Sequence, residues 1–245
     1  MIRICCAAAL AFVAATAAFA FEPPRVVLTS PKRWTIGVES AKQKTVTITF
    51  DQRMRTGFWD FIGRDTLSPP TNLETEMSAD RMSYDLSVRL QPGKVYIMGL
   101  NERGIPGVGF QNEKGLSLSP TYLVFQTAGR FAPEDAPPRV LGTLPANSAK
   151  EVNPAMTKAI TATFDRAMDR RKHGLHLFEG KQPVDLRSAM FTYSPDGKTF
   201  TLAYAFKPST YYEVAMNNNE DIGFAATNRA PLWPVHFAFT TGQPH

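Results

Sequence analysis

The sequence predicts an all-β chain: two antiparallel β-sandwiches in tandem behind a leader peptide. Three observations lead there. The chain repeats itself at an offset of 114 residues, its apolar residues alternate at period two, and its 19 prolines and 16 glycines punctuate it throughout. Hydrophobic residues fill 43% of the 245 positions, enough for each half to bury a core of its own.

The leader comes first. Arg3 supplies a short positive start, Ile4 to Ala17 form an alanine-rich apolar run, and Ala18-Phe19-Ala20 is a small-x-small cleavage site. An uncleaved anchor would need a span of about 20 apolar residues. This run is shorter, so residues 1–20 are expected to be removed on export, with no transmembrane segment left behind. Both cysteines, Cys5 and Cys6, lie early in the leader, whereas a lipoprotein would carry one at its end. The mature chain then has no cysteine, which excludes thiol catalysis and cysteine-ligated metal, and its cores must hold without disulfides in an oxidising compartment. Losing Arg3 lowers the net charge from +5 to +4. That suits an anionic envelope polymer such as lipopolysaccharide or teichoic acid, or simply an ordinary soluble surface. With no dense basic tract, nucleic acid is not an expected partner.

The repeat organises the rest. Pro23-Pro24-Arg25-Val26 recurs as Pro137-Pro138-Arg139-Val140, and Pro31 as Pro145. Thr49-Phe50-Asp51 with Met54 recurs as Thr163-Phe164-Asp165 with Met168. Gly109-Phe110 recurs as Gly223-Phe224, and Phe125-Gln126-Thr127 as Phe239-Thr240-Thr241. Midway the offset drifts to 116, as Asp80 matches Asp196, Pro92 matches Pro208 and Tyr96 matches Tyr212. A two-residue insertion of this kind belongs in a loop. So long a period is a domain duplication: a first domain over 21–128, a short proline-containing linker over 129–136, and a second domain over 137–245.

Each repeat then divides into strands. Thr45 to Phe50 alternates polar and apolar, with Val46, Ile48 and Phe50 on one face, and Ala159 to Phe164 copies it. Tyr84 to Leu90 and Thr199 to Tyr204 alternate likewise. The turns Gln91-Pro92-Gly93 and Lys207-Pro208-Ser209 lead into Lys94 to Met98 and Tyr211 to Met216. Thr121 to Thr127 and Val235 to Thr241 close the repeats. Shorter runs at Arg25 to Thr29, Phe58 to Ile62 and Leu73 to Met77 have partners near Arg139, Leu175 and Met190. About seven short strands in roughly 105 residues is the pattern of an immunoglobulin-like (Ig-like) sandwich. A single helical turn is expected at most, after Asp51 or Asp165, where aspartate can cap.

These residues resemble a known family. Each repeat opens on Pro-Pro-Arg-Val with Ser-Pro or Leu-Pro following, carries Thr-Phe-Asp-x-x-Met and Pro-x-x-x-Tyr, and ends on Phe-x-Thr. The order is similar to the bacterial Ig-like domain of the surface-layer-protein type. That resemblance implies tandem sandwiches on an exported envelope protein with a structural, spacer or binding role, and it carries no catalytic residues over. The last loops depart from the family's usual Asp-x-x-Gly-Asn, reading Asn101-Glu102-Arg103-Gly104 and Asp221-Ile222-Gly223. The copper-binding periplasmic Ig-like type fits poorly, because the expected mature terminus is Phe21 and the first repeat has no histidine.

Candidate site residues cluster in the second repeat. Asn217, Asn219, Glu220 and Asp221 form a run of oxygen donors that either favours calcium or simply builds a turn. Arg170 and Arg171 head the densest basic run, a contact for an anionic polymer or a solvated loop. Trp34, Trp59 and Trp233 are either carbohydrate platforms or packing residues; Trp59 suits the buried tryptophan of the sandwich, and Trp233 is the better exposed candidate. His173, His176, His236 and His245 show no metal-ligand spacing, and no serine sits on a Gly-x-Ser-x-Gly elbow. Asp51 and Asp165 recur by duplication and fall in separate domains, too far apart to act as a catalytic pair. No catalytic residue, metal or cofactor is expected. The expected role is an exported, non-catalytic binding or structural module of the cell envelope, in the periplasm or outside the cell, with an envelope polymer or protein as partner and specificity on the loops 100–120 and 217–234. The alternative is a periplasmic metal-binding or carbohydrate-processing accessory protein.

Overall fold

The computed structural model describes residues 22–57, 61–63, 74–102, 109–133 and 135–243, with 61–63 described as backbone only. The leader, Trp59 and His245 lie outside these residues. The first sandwich contains β1 (Val26–Ser30), β2 (Thr35–Val38), β3 (Thr45–Phe50), β4 (Phe61–Gly63), β5 (Thr75–Met77), β6 (Ser83–Ser87), β7 (Val95–Leu100) and β8 (Thr121–Thr127). The second contains β9 (Val140–Leu144), β10 (Ala159–Phe164), β11 (Leu175–Glu179), β12 (Gln182–Pro183), β13 (Phe191–Tyr193), β14 (Thr199–Ala203), β15 (Tyr211–Met216) and β16 (Val235–Thr240).

Sheet β1-β3-β6-β5 faces sheet β2-β8-β7-β4, and sheet β13-β14-β10-β9 faces sheet β12-β11-β15-β16. Both pairs follow the Ig-like order, with the first, second, fifth and fourth strands of the motif opposite the third, sixth and seventh. The chain is therefore all-β and built of two Ig-like sandwiches. The short strand β2 leaves the first sheet and runs parallel to β8, pairing Thr35 with Phe125 and Ile36 with Gln126. In the second sandwich the corresponding segment forms no strand, and meets β16 through the bridge Val152 to Thr241 and single hydrogen bonds with Asn147, Ser148 and Ala149.

The period-two runs do what the alternation requires. Val46, Ile48 and Phe50 in β3, and Ile160, Ala162 and Phe164 in β10, are buried while the residues between them are half-exposed. Full burial of such an aliphatic or aromatic side chain contributes about 1.5–3 kcal/mol. Each core closes around an aromatic group, Phe50, Tyr84 and Phe110 in one and Phe164, Phe200 and Phe224 in the other.

The duplication extends to single hydrogen bonds. Tyr96 OH accepts the Gln91 N–H at 2.8 Å, and Tyr212 OH accepts the Lys207 N–H at 2.8 Å. Each ring stacks on its neighbouring strand's phenylalanine at 5.4 Å, Phe125 and Phe239. This is the tyrosine corner of Ig-like sandwiches. Asp51 Oδ1 accepts the Arg25 N–H at 2.8 Å, and Asp165 Oδ1 accepts the Arg139 N–H at 2.9 Å. Each aspartate thus ties the second motif strand's end to the first strand's start. The expected helical turn does not form: the chain after each aspartate instead crosses in the isolated bridges Met54 to Asn112 and Met168 to Ala226. The N–H groups a cap would serve are taken elsewhere, the Met54 N–H by the Arg81 carbonyl and the Met168 N–H by the Gly197 carbonyl.

Candidate functional site

The two sandwiches share a junction, and it is built from residues that look unremarkable one at a time. β7 is buried along its whole length. Tyr96, Met98 and Leu100 face the sandwich core, while Val95 and Ile97 face outward and join Val124 of β8 in a separate apolar cluster. Ile222 of the second domain completes that cluster, with Trp34, Tyr122, Phe131 and Trp233 packed around it. The indoles of Trp34 and Trp233 meet edge to face at 5.6 Å. Both give up their N–H inside the junction: Trp34 Nε1 donates to Asn219 Oδ1 at 3.0 Å, and Trp233 Nε1 donates to the Trp34 carbonyl at 2.9 Å. The Asn219 carbonyl accepts from the Tyr122 N–H at 2.7 Å and from the Thr121 hydroxyl at 2.9 Å. Both indole N–H groups at the apolar contact are thus satisfied, as burial requires.

The linker is pinned from both sides. Gly93 and Gly129 have positive φ, and a Cβ on Gly93 would collide with the Arg130 carbonyl. Lys94 pairs with Asp135 at 3.1 Å. From the second domain, Arg166 Nη1 donates to the carbonyls of Pro133 at 3.0 Å and Ala136 at 2.6 Å.

The loop that reaches across, 217–223, is rigid by construction. Asn217 is fully buried with φ +58°. Its amide donates to the carbonyls of Phe224 and Leu232, and its Oδ1 accepts the Phe224 N–H. Asn101 makes the same three bonds in the first domain, to Phe110 and Leu118. Asn218 Oδ1 accepts the N–H groups of Glu220 and Asp221, and Asp221 Oδ1 accepts that of Gly223. The side-chain oxygens of Asn217, Asn218 and Asp221 thus accept from the loop's own backbone, while Asn219 Oδ1 accepts from Trp34. Among the described residues, no group of three or more His, Asp or Glu side chains is placed to hold a metal.

At the loop's base His176 Nε2 lies 3.4 Å from Asp221 Oδ2 and 3.2 Å from Asn218 Nδ2. The hydrogen bond to Asp221 raises the His176 pKa, against the effect of burial. Burial alone would raise the Asp221 carboxyl, but the bonds from His176 and the Gly223 N–H hold it below the usual carboxylate range. His173 sits among Phe191, Phe200 and Phe224, and burial lowers its pKa. Glu220 is exposed at the tip, and its charge acts on Arg33 of the first domain, whose guanidinium burial lowers.

The structure brings Trp233, Asn217, Asn219, Glu220 and Asp221 together at the junction. Arg170 and Arg171 stand apart, on the loop between β10 and β11. Arg171 is exposed and paired with Asp169 at 2.7 Å, a bond that holds the Asp169 carboxyl at about 2.

Beside the junction lies an open cleft of ≈ 500 Å³. Ile36 and Gln126 line it from the first domain, Phe131 from the linker, and Arg139, Asp165 and Trp233 from the second. Ile36, Phe131 and Arg139 were not singled out from the sequence. Ile36 is 63% exposed, and the only local signal was an isoleucine beside a turn glycine.

Residues 134–241 match the family described as bacterial Ig-like domain. That span covers the second sandwich and less than half of the chain. No curated protein matches. Solved structures similar to this chain include tandem domains of titin. An I-band fragment is 10% identical over 91% of this chain and 66% of its own, with a TM-score of 0.28. A chimeric Z1Z2-Z1Z2 tandem is 10% identical over 91% of this chain and 100% of its own, at 0.31. The Z1Z2 pair solved with telethonin is 11% identical over 91% and 98%, at 0.24. The chain spans just under two thirds of the first of these. At such low scores the fold assignment rests on the strand order and on the family match.

Proposed function

We propose that this protein is an exported module of the bacterial cell envelope that holds two Ig-like units in one fixed arrangement and binds an envelope polymer or envelope protein through the cleft between them. The junction carries this reading: Trp34, Asn219, Ile222 and Trp233 give the two sandwiches a shared core, and the cleft opens directly beside it. Ligand sites favour such domain boundaries. Export rests on the leader, with its apolar run and Ala18-Phe19-Ala20 site. The match of the second sandwich to bacterial Ig-like domains supports a binding or structural role. Among the described residues no helix is long and apolar enough to cross a membrane.

The test is capture of envelope fractions by immobilised residues 21–245: peptidoglycan, lipopolysaccharide and detergent-solubilised outer-membrane proteins. One fraction should bind in high salt, and Ile36→Glu, on the rim of the cleft, should release it. Capture of none by the wild-type chain would remove the binding role and leave a passive spacer.

A further inference from the structure

The duplication lets each domain serve as a control for the other. In the first domain the space beside β1, ≈ 370 Å³, is lined by Val26 to Thr29, Lys32 to Trp34, and Asn219 of the second domain. Asn219 walls this space from the other domain. The Asn219 carbonyl takes the Tyr122 N–H, a group on the open edge of β8, and β2 covers the rest of that edge.

The groove of the second domain between β9 and β16 is lined by that domain's own residues, with none from the first domain among the described residues. It measures ≈ 590 Å³, and its apolar walls include Leu141, Ala146, Leu232, Trp233, Val235 and Phe237. Leu141 is 68% exposed. Ala238 N donates to Asn147 Oδ1 at 3.1 Å, and its carbonyl accepts the Ser148 N–H at 2.6 Å. Thr240 exchanges bonds with Ala149 and Val152. In an antiparallel strand the backbone polar groups of alternate residues point to the same side. Those of His236 therefore share the edge used by Ala238 and Thr240, in the position that Tyr122 occupies in the first domain. Pro234 ends the edge, since it has no N–H to offer.

This groove runs into the junction cleft. Arg139 lines both and is exposed, and its backbone N–H donates to Asp165. Arg166 lies next to it, so two guanidinium groups face one carboxylate, Asp165, already bonded to both residues. The surplus charge is positive.

We infer that the β9–β16 groove receives an extended segment of a partner protein, added as a short strand to the edge of β16 at His236 and carrying a carboxylate that meets Arg139. Strand addition supplies affinity through the main chain, while the groove walls select alternate apolar side chains. In the first domain the corresponding edge position, Tyr122, is satisfied by a protein carbonyl, and the positive surplus selects an acidic segment. The inference rests on the binding-module reading and names its partner class.

The test uses residues 21–245 and a phage-displayed library of random ten-residue peptides. Selected peptides should carry Asp or Glu beside alternating β-branched or aromatic residues. The synthetic form of an enriched peptide should protect the His236 amide from hydrogen exchange. His236→Pro, tolerated on an edge strand, and Arg139→Glu should each weaken binding at least tenfold with thermal melting unchanged. Replacing the peptide's acid by lysine should restore binding to Arg139→Glu. No enrichment, unchanged exchange at His236, or wild-type affinity in His236→Pro would overturn strand addition. Envelope capture that survives His236→Pro removes this groove while leaving the module reading intact; a wild-type chain that captures no fraction removes both.

Discussion

Asn217 occupies left-handed backbone, where asparagine is better tolerated than most side chains. There it answers the Leu232 carbonyl and the Phe224 N–H, which the loop would otherwise bury unpaired, and adds a second bond to the Phe224 carbonyl, which already accepts the Leu232 N–H. An unsatisfied buried group costs about 1–3 kcal/mol. Asn217→Ala should therefore lower unfolding free energy by at least about 2 kcal/mol in urea titration, and Asn101→Ala should do the same in the first domain. A shift near zero in either would show that solvent satisfies these groups. His176 gives a pH signature. Its pKa is raised in the folded chain by Asp221, so its stabilisation is complete below the unfolded value of 6.5 and is lost as pH rises through the folded value. Wild type should exceed His176→Gln in melting temperature at pH 5.5, and the gap should close by pH 8.5. His173 acts the opposite way, because burial and the His176 charge lower its pKa, so the comparison is made with His173→Gln in both chains.

At the scale of the element, β7 and β15 are copies with different outward faces. Val95 and Ile97 of β7 correspond to Tyr211 and Glu213 of β15, and only the first pair is buried. That difference is visible in the sequence as a continuous apolar run against an alternating one, and a strand apolar on both faces must be covered on both. The loops next to β11 and β15 meet at Gly174 and Gly223. A Cβ on Gly223 would collide with the His173 carbonyl, and one on Gly174 with Asn217 Oδ1. Gly223→Ala and Gly174→Ala should each destabilise by about 1–3 kcal/mol through overpacking. Gly142→Ala in β9, where a Cβ meets nothing within 4 Å, should leave the melting temperature almost unchanged. Calorimetry on the three variants would separate close packing from a general loss of glycine.

For the whole molecule, the junction makes two domains behave as one. Trp233 contributes a ring contact and a hydrogen bond to it, and Ile97 lies inside its core. Ile97→Asp should split a single melting transition into two, and X-ray scattering should show a broadened distribution of interatomic distances. One transition with an unchanged scattering profile would mean that the linker bonds of Arg166 and Lys94 hold the pair without the apolar core.

The sequence by itself determined the sandwiches. Period-two alternation, turn residues and the 114-residue offset are local signals, and each strand reports its own buried face, as Thr45 to Phe50 and Ala159 to Phe164 do. It also placed the asparagine loop and Trp233 as candidates. Only the tertiary structure decided what they touch. Trp34 lies 185 residues from its acceptor Asn219 and Trp233 lies 199 from its acceptor Trp34, and Asn219 finds Tyr122 across a domain boundary. Nothing in the residues flanking Asn219 specifies that meeting. It follows from how two nearly identical folds stack, with the apolar outer face of one covered by a loop of the other, and from the open edge that the second fold is left with.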